Sequence, residues 1–229
     1  MNAQRTLIWD VPTRLFHWLL VISLIAQYLT AEVLENSMQW HFYFGYFTLG
    51  LILFRILWGL IGTTYAKLSQ CFHSPKAIFN YMKCLLQSDS PAHAGHNPLG
   101  GLVVIAMLML VLTQAISGLF MTDDIFLDGP WRAAVGDDTL DVMNYLHRNV
   151  FDVILGVIAL HIAAIIFYGV YKKQKLASAM IHGKKITTEK GISSSRLLLA
   201  LIAAIISAGV VYYAVEIAPP QSEDAEYYY

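Results

Sequence analysis

Charge is scarce in this sequence: Asp, Glu, Lys and Arg make up 14% of its 229 residues, against 57% hydrophobic residues. An average soluble domain is about 25% charged, so the composition argues against an ordinary water-facing surface and for an all-α polytopic membrane protein. Cysteine is scarcer still, with only Cys71 and Cys84. They lie in a polar segment with neither a Cys-x-x-Cys-His motif nor iron–sulfur spacing, which argues against covalent haem and clusters and fits plain thiols in a reducing compartment. The opening MNAQRTLIWDVPTR lacks a small-residue cleavage site, and the apolar run behind it is long enough to stay in a bilayer, so it reads as a first span and not as a cleaved leader. A net charge of −1 offers no basic excess for nucleic acid.

The few charges are segregated, and they divide the chain into five apolar runs, at residues 12–30, 39–60, 98–121, 144–171 and 196–217. Each approaches or exceeds the roughly 20 residues that cross a hydrocarbon core. Pro12 and Pro98 stand where a first-turn proline is tolerated. The polar segments between the runs alternate in sign. Arg5 and Arg14, then Lys67, Lys76 and Lys83, then KKQKLASAMIHGKK are basic; the connection with Glu32 and Glu35, the aspartate-rich residues 123–141 and the tail QSEDAEYYY are acidic. Under the positive-inside rule all of them point to five spans with a cytoplasmic N-terminus and a C-terminus outside. Within residues 62–97 a weakly amphipathic stretch, 75–86, suits the membrane interface.

Histidine is present where charge is not. NYLHRNVFDVILGVIALHIAAIIFYGVY holds His147 and His161, fourteen positions apart, which on a helix is a rise of about 21 Å with an offset of about 40°. They share one face at two depths. Helix direction then sorts their partners: His17, near the start of the outgoing first run, belongs with His161 in the inner half, and His41, at the start of the ingoing second run, belongs with His147 at the outer rim. Facing ligands are how helix bundles hold metals and haem. Two imidazoles per level suffice for six-coordinate haem iron and fall short of a usual zinc site, so the count favours haem, with Asp152 as a possible further ligand that keeps other metals open. Gly45, four after His41 on the same face, leaves room for a flat cofactor or a close helix.

RLFHWLL at His17, WHFYFGY at His41, GHNPLGG at His96 and the His147/His161 spacing resemble the bacterial cytochrome b561 family and the related b-type cytochrome subunit of nickel–iron hydrogenases. The resemblance covers the first four runs. It implies an integral membrane four-helix haem-binding bundle, here with one additional C-terminal transmembrane helix. It further implies two non-covalent b haems, with iron ligands His17 and His161 on the inner side and His41 and His147 on the outer. The function implied is a dihaem cytochrome passing electrons between a quinone pool and a redox partner, such as a c-type cytochrome or a hydrogenase subunit. A superoxide-to-quinone oxidoreductase and a haem-free metal-binding anchor or transporter remain as alternatives. Residues 1–175 would form the cytochrome domain, and residues 176–229 the basic loop, fifth helix and acidic tail.

Several further residues acquire expectations. An arginine fork matches a carboxylate, so Arg55 and Arg14 are candidate partners of an inner haem propionate and Arg148 of an outer one. His96 is placed at the inner membrane edge, for propionate or quinone contact or for the helix start. Asp152, inside the fourth run, suits proton transfer with quinone or a pairing with a neighbouring helix. His73, His93 and His182 read as solvated loop residues, and Trp18, Trp40 and Trp58 as an interfacial aromatic belt.

Overall fold

A computed structural model of the chain describes residues 4–85 and 93–220. The acidic tail and the end of the amphipathic stretch at Leu86 lie outside the described residues. Helix α1 (Val11–Tyr28) starts where Asp10 caps it, its carboxylate accepting from the Thr13 N–H at 2.6 Å, with Pro12 in the first turn. It runs on as a π-turn over Leu29–Val33. Helix α2 (Met38–Ile61) returns, the short α3 (Pro75–Cys84) follows, and α4 (Pro98–Gly118) opens on Asn97, whose side chain accepts from Gly100 N–H at 2.7 Å. Helix α5 (Asp137–Val170) and the short α6 (Leu176–His182) precede α7 (Leu197–Tyr212), which ends in a π-turn over Tyr213–Ile217.

Five of these elements are long and apolar enough to cross a membrane, as the sequence predicts. The boundary of α5 is the main difference: the helix begins seven residues before residue 144, inside the aspartate-rich segment. Asp137 and Asp138 occupy its first turn, where carboxylates favour the positive end of the helix dipole. At about 1.5 Å per residue its 34 residues reach about 51 Å, well beyond a hydrocarbon core of about 30 Å.

Helix α2 is central, packing on α1, α4 and α7, while α5 joins the bundle chiefly through α4. Phe16, Leu51, Ile52, Val111 and Ile154, drawn from α1, α2, α4 and α5, form the central core cluster. Bulky residues elsewhere face outward, as a lipid-facing surface requires; Leu198 on α7 is 73% exposed.

The basic segments form a folded cap at one end of the bundle, which the sequence reading treats as loops. Strand β1 (Gln4–Leu7) pairs antiparallel with β2 (Lys184–Thr187), and Ile8 and Trp9 N–H both donate to the Gly183 carbonyl. Gly183, at φ 78°, ends α6 in the left-handed conformation that glycine adopts without penalty. Lys185 donates to the carbonyls of His93 and Ala94, and Tyr65 to that of Lys190, so the N-terminus, the second connection and the fourth connection interlock. Trp58 departs from the interfacial belt: it is fully buried and donates from its indole N–H to Asp10. His73 and His93 are half-buried, His93 edge-on to Tyr81 at 5.7 Å, whereas His182 is exposed.

Candidate cofactor site

At the end opposite the cap, α2 and α5 bring His41 and His147 together. Their ring centroids are 6.3 Å apart and their planes are perpendicular at 88°. With a metal–imidazole bond of about 2 Å on each side, and about 1 Å from each nitrogen to its ring centre, two axial ligands of one metal have centroids about 6 Å apart. The observed separation fits.

Each ring is also held by its rear nitrogen. His41 Nδ1 donates to the Gln27 carbonyl of α1 at 3.0 Å, and His147 Nδ1 to the Gln114 carbonyl of α4 at 3.0 Å, with Ser117 Oγ 3.2 Å away. A carbonyl accepts only, so Nδ1 carries the proton in both rings and Nε2 keeps the lone pair a metal needs. Gly118 makes the His147 position possible, because a Cβ there would lie 3.0 Å from Cε1 of the ring.

A cavity of about 690 Å³ opens beside the pair, lined among others by Gly45, Tyr46, Arg148 and Asp152. That volume suits a cofactor site, commonly about 300–1,000 Å³. A Cβ added at Gly45 would meet nothing within 4 Å, so what adjoins this glycine is the cavity and not a close helix. Arg148 and Asp152 are exposed.

At the other level, α1 and α5 carry His17 and His161 as electrostatic neighbours across the bundle. No ring contact joins them among the described residues. His17 stands edge-on to Trp18 at 5.0 Å, and its Nδ1 is buried without a hydrogen-bond partner among the described residues. An orphaned imidazole nitrogen at this depth is costly in isolation, and it fits a site that receives a further group.

Between this level and the cap lies a buried polar cluster. Asp10, 1% exposed, accepts from Trp58, Thr63 and the Thr13 N–H. Arg55, 3% exposed, donates to the Ala66 carbonyl at 2.9 Å, and Arg14 to that of Ile181, while Arg14 Nε is buried with no partner among the described residues. His96 packs on Trp9 at 4.8 Å and on Cys71, whose Sγ is 3.7 Å from its Nδ1. Burial first, then Arg55 and Lys185, pushes the pKa of His96 down to about 4. Thus Arg14, Arg55 and His96 gather at the cap end, and Arg148 lies at the other, beside the His41–His147 cavity.

Sequence reasoning overlooks α4, which has no histidine, yet Gln114, Ser117 and Gly118 set the His147 ring. Their polar side chains and glycine, at the end of an otherwise apolar run, are the signal that was legible.

The family model described as Prokaryotic cytochrome b561 matches residues 8–183. That stretch contains α1 to α6, hence all four paired histidines and His96, and ends before α7. The chain is also 22% identical over 225 residues to a protein of Rhizobium leguminosarum bv. viciae described as "Probable Ni/Fe-hydrogenase B-type cytochrome subunit", covering 83% of this chain and 92% of that protein.

Proposed function

The chain belongs to the prokaryotic cytochrome b561 family, and from that premise we propose that it is a dihaem cytochrome of a bacterial inner membrane, exchanging electrons between the quinone pool and a redox partner. Membership makes it a multi-pass membrane cytochrome of the b type, with a role in electron transfer. When bound, haem supplies one-electron chemistry at its iron, and the protein supplies ligation, orientation and dielectric. His41 and His147 hold the outer iron, and His17 and His161 the inner one. Arg148 serves an outer propionate, and Arg14, Arg55 and His96 serve propionate or quinone at the inner side. In this reading residues 1–175 carry the cofactors, and residues 176–229 add the basic connection, fifth span and tail.

The observation that carries the proposal is the 6.3 Å His41–His147 pair, with both Nδ1 atoms bonded to carbonyls beside a cofactor-sized cavity. Support for quinone comes from an apolar groove of about 630 Å³ between α1, α2 and α7. It runs from Val11 and Leu197 to Tyr46 and Glu216, and Tyr46 lines the haem cavity as well. A lipid-soluble head group on a long apolar tail suits such a groove with one polar end. The printed name of the Rhizobium relative makes a hydrogenase subunit a candidate redox partner beside a c-type cytochrome.

Pyridine haemochrome assay of the purified protein tests this reading. The expected result is about two non-covalent haems per chain, falling to about one in His147→Ala and in His161→Ala. A chain purified without haem overturns it, and one haem in the unaltered chain overturns the dihaem part.

A further inference from the structure

Residues 119–132 fold back on the end of α4 as a braced loop. Gly129 N–H donates to Met121 O at 2.6 Å and Trp131 N–H to Leu119 O at 3.0 Å, while the Trp131 indole donates to Ala214 O at the end of α7. Thr122 and Asp128 form an isolated antiparallel bridge. Within it Asp123 accepts three N–H donors on one oxygen, from Ile125, Phe126 and Leu127 at 2.8–2.9 Å, and these donors hold its carboxyl below the usual range. Asp124 takes the left-handed conformation at φ 59°.

This bracing presents two apolar side chains to the outside. Ile125 is 72% exposed and Phe126 92%. They contribute nothing to the protein's own core, so the order imposed on them has no return within this chain. A pre-ordered apolar anchor lowers the conformational cost of association, and aromatic anchors in a polar rim are what interface hot spots consist of. The rim here is mainly acidic. Residues 122–143 contain six aspartates and one arginine, and that arginine, Arg132, is tied to Asp128 at 3.4 Å.

The place of the loop adds the third element. Met121 and Thr122 line the cavity beside His41 and His147, and Phe126 lies four residues on, at most about 14 Å of extended chain from Thr122.

We propose that Ile125 and Phe126 are the docking anchor for a redox protein whose contact face is an apolar hollow rimmed by lysine or arginine, seated over the outer haem cavity. The proposal rests on the electron-transfer reading above. The acidic rim selects a basic face and speeds its approach, and the anchor slows its departure. An anionic lipid surface is the disfavoured occupant, because six aspartates would be pressed against like charge.

The probe is a lysine-rimmed soluble cytochrome c, with the full-length protein in lipid vesicles. The reduced absorption spectrum is recorded before the probe is added, and a protein without reducible haem fails there, overturning the electron-transfer reading and not the docking site. With haem present, Phe126→Ser lowers the second-order rate of electron exchange by on the order of tenfold with an unchanged haem spectrum. Asp124→Asn lowers it less and flattens its salt dependence. In a Cys71→Ala, Cys84→Ala background, Phe126→Cys reacts readily with a water-soluble maleimide, and the cytochrome c protects it. An unchanged rate in Phe126→Ser, or no exchange with the probe, overturns the docking proposal. So does a Phe126→Cys thiol that is unreactive without the probe and becomes reactive only in detergent, which places the loop in the bilayer.

Discussion

A histidine in a membrane helix is defined as a ligand less by its own position than by what holds its other nitrogen. The pairing of histidines by depth is read from spacing and helix direction, because fourteen residues bring two rings onto one helix face, and the structure brings His41 and His147 together as that reading expects. The carbonyls of Gln27 and Gln114 are not legible, since a backbone acceptor has no sequence signature. Gly118 is the sharpest test of that support. A Cβ added there would lie 3.0 Å from the His147 ring and the rest of a valine would crowd it further, so Gly118→Val should displace the ring, and the haem count should fall from about two toward one while the inner signal persists. Redox difference spectra and the haemochrome assay read both. His96 gives a second test, through pH. Its ring stays neutral, with a pKa of about 4 against about 6.5 unfolded, so between these values the unfolded chain binds a proton that the native one does not. Its contribution is complete above about pH 6.5 and is lost as pH falls toward 4, by about 1.4 kcal/mol per pH unit at most. Thermal unfolding in detergent at pH 7 and pH 4.5 measures it: His96→Gln should lose less stability over that range than the unaltered protein. Equal loss in both would assign the acid sensitivity elsewhere.

Apolar runs mark the helices of the membrane well, and their ends poorly, because ends are settled by caps and polar contacts. Helix α5 starts early on its two aspartates, and α1 runs on through a π-turn where the sequence suggests only an acidic connection. The cap has no signature in the sequence for a related reason: β1 and β2 are four residues each and 177 positions apart at their nearest pair, with too little alternation to announce a pairing. Trp58 looked interfacial because its burial depends on Asp10, 48 positions away. Asp10 joins these elements, capping α1 and accepting from Trp58 of α2 and from Thr63 just past its end. Asp10→Ala removes an N-cap worth about 0.5–2 kcal/mol and strands the buried Trp58 and Thr63 donors at about 1–3 kcal/mol each. Thermal melting in detergent should therefore show a loss on the order of 2.5–8 kcal/mol, with Asp10→Asn intermediate. A change below about 0.5 kcal/mol would mean that water replaces these contacts.

For the molecule as a whole, the question is which end faces the cytoplasm. The three basic segments are separated in sequence by spans, yet they interlock in one cap through β1–β2, Lys185 and Tyr65. The six aspartates of residues 122–143 lie at the opposite end, near His41 and His147. Positive-inside asymmetry then predicts that the cap faces the cytoplasm. The chain carries its own reporters, since Cys71 and Cys84 both sit on the cap side. Cys71 is buried, and burial raises its thiol pKa, which leaves little reactive thiolate, so Cys84, half-buried, is the residue to label. In sealed right-side-out vesicles a membrane-impermeant maleimide should leave the native protein unlabelled and label Cys84 once the vesicles are opened. Asp124→Cys, at the other end, should react in sealed vesicles. Five spans would put the two termini on opposite sides, so with the cap inside a reporter fused after Tyr229 should be active only outside the cytoplasm. Labelling of Cys84 in sealed vesicles would invert the orientation and put the basic cap in the periplasm. A cytoplasmic reporter together with a protected Cys84 would leave the first four helices as described and remove α7 from the count of spans.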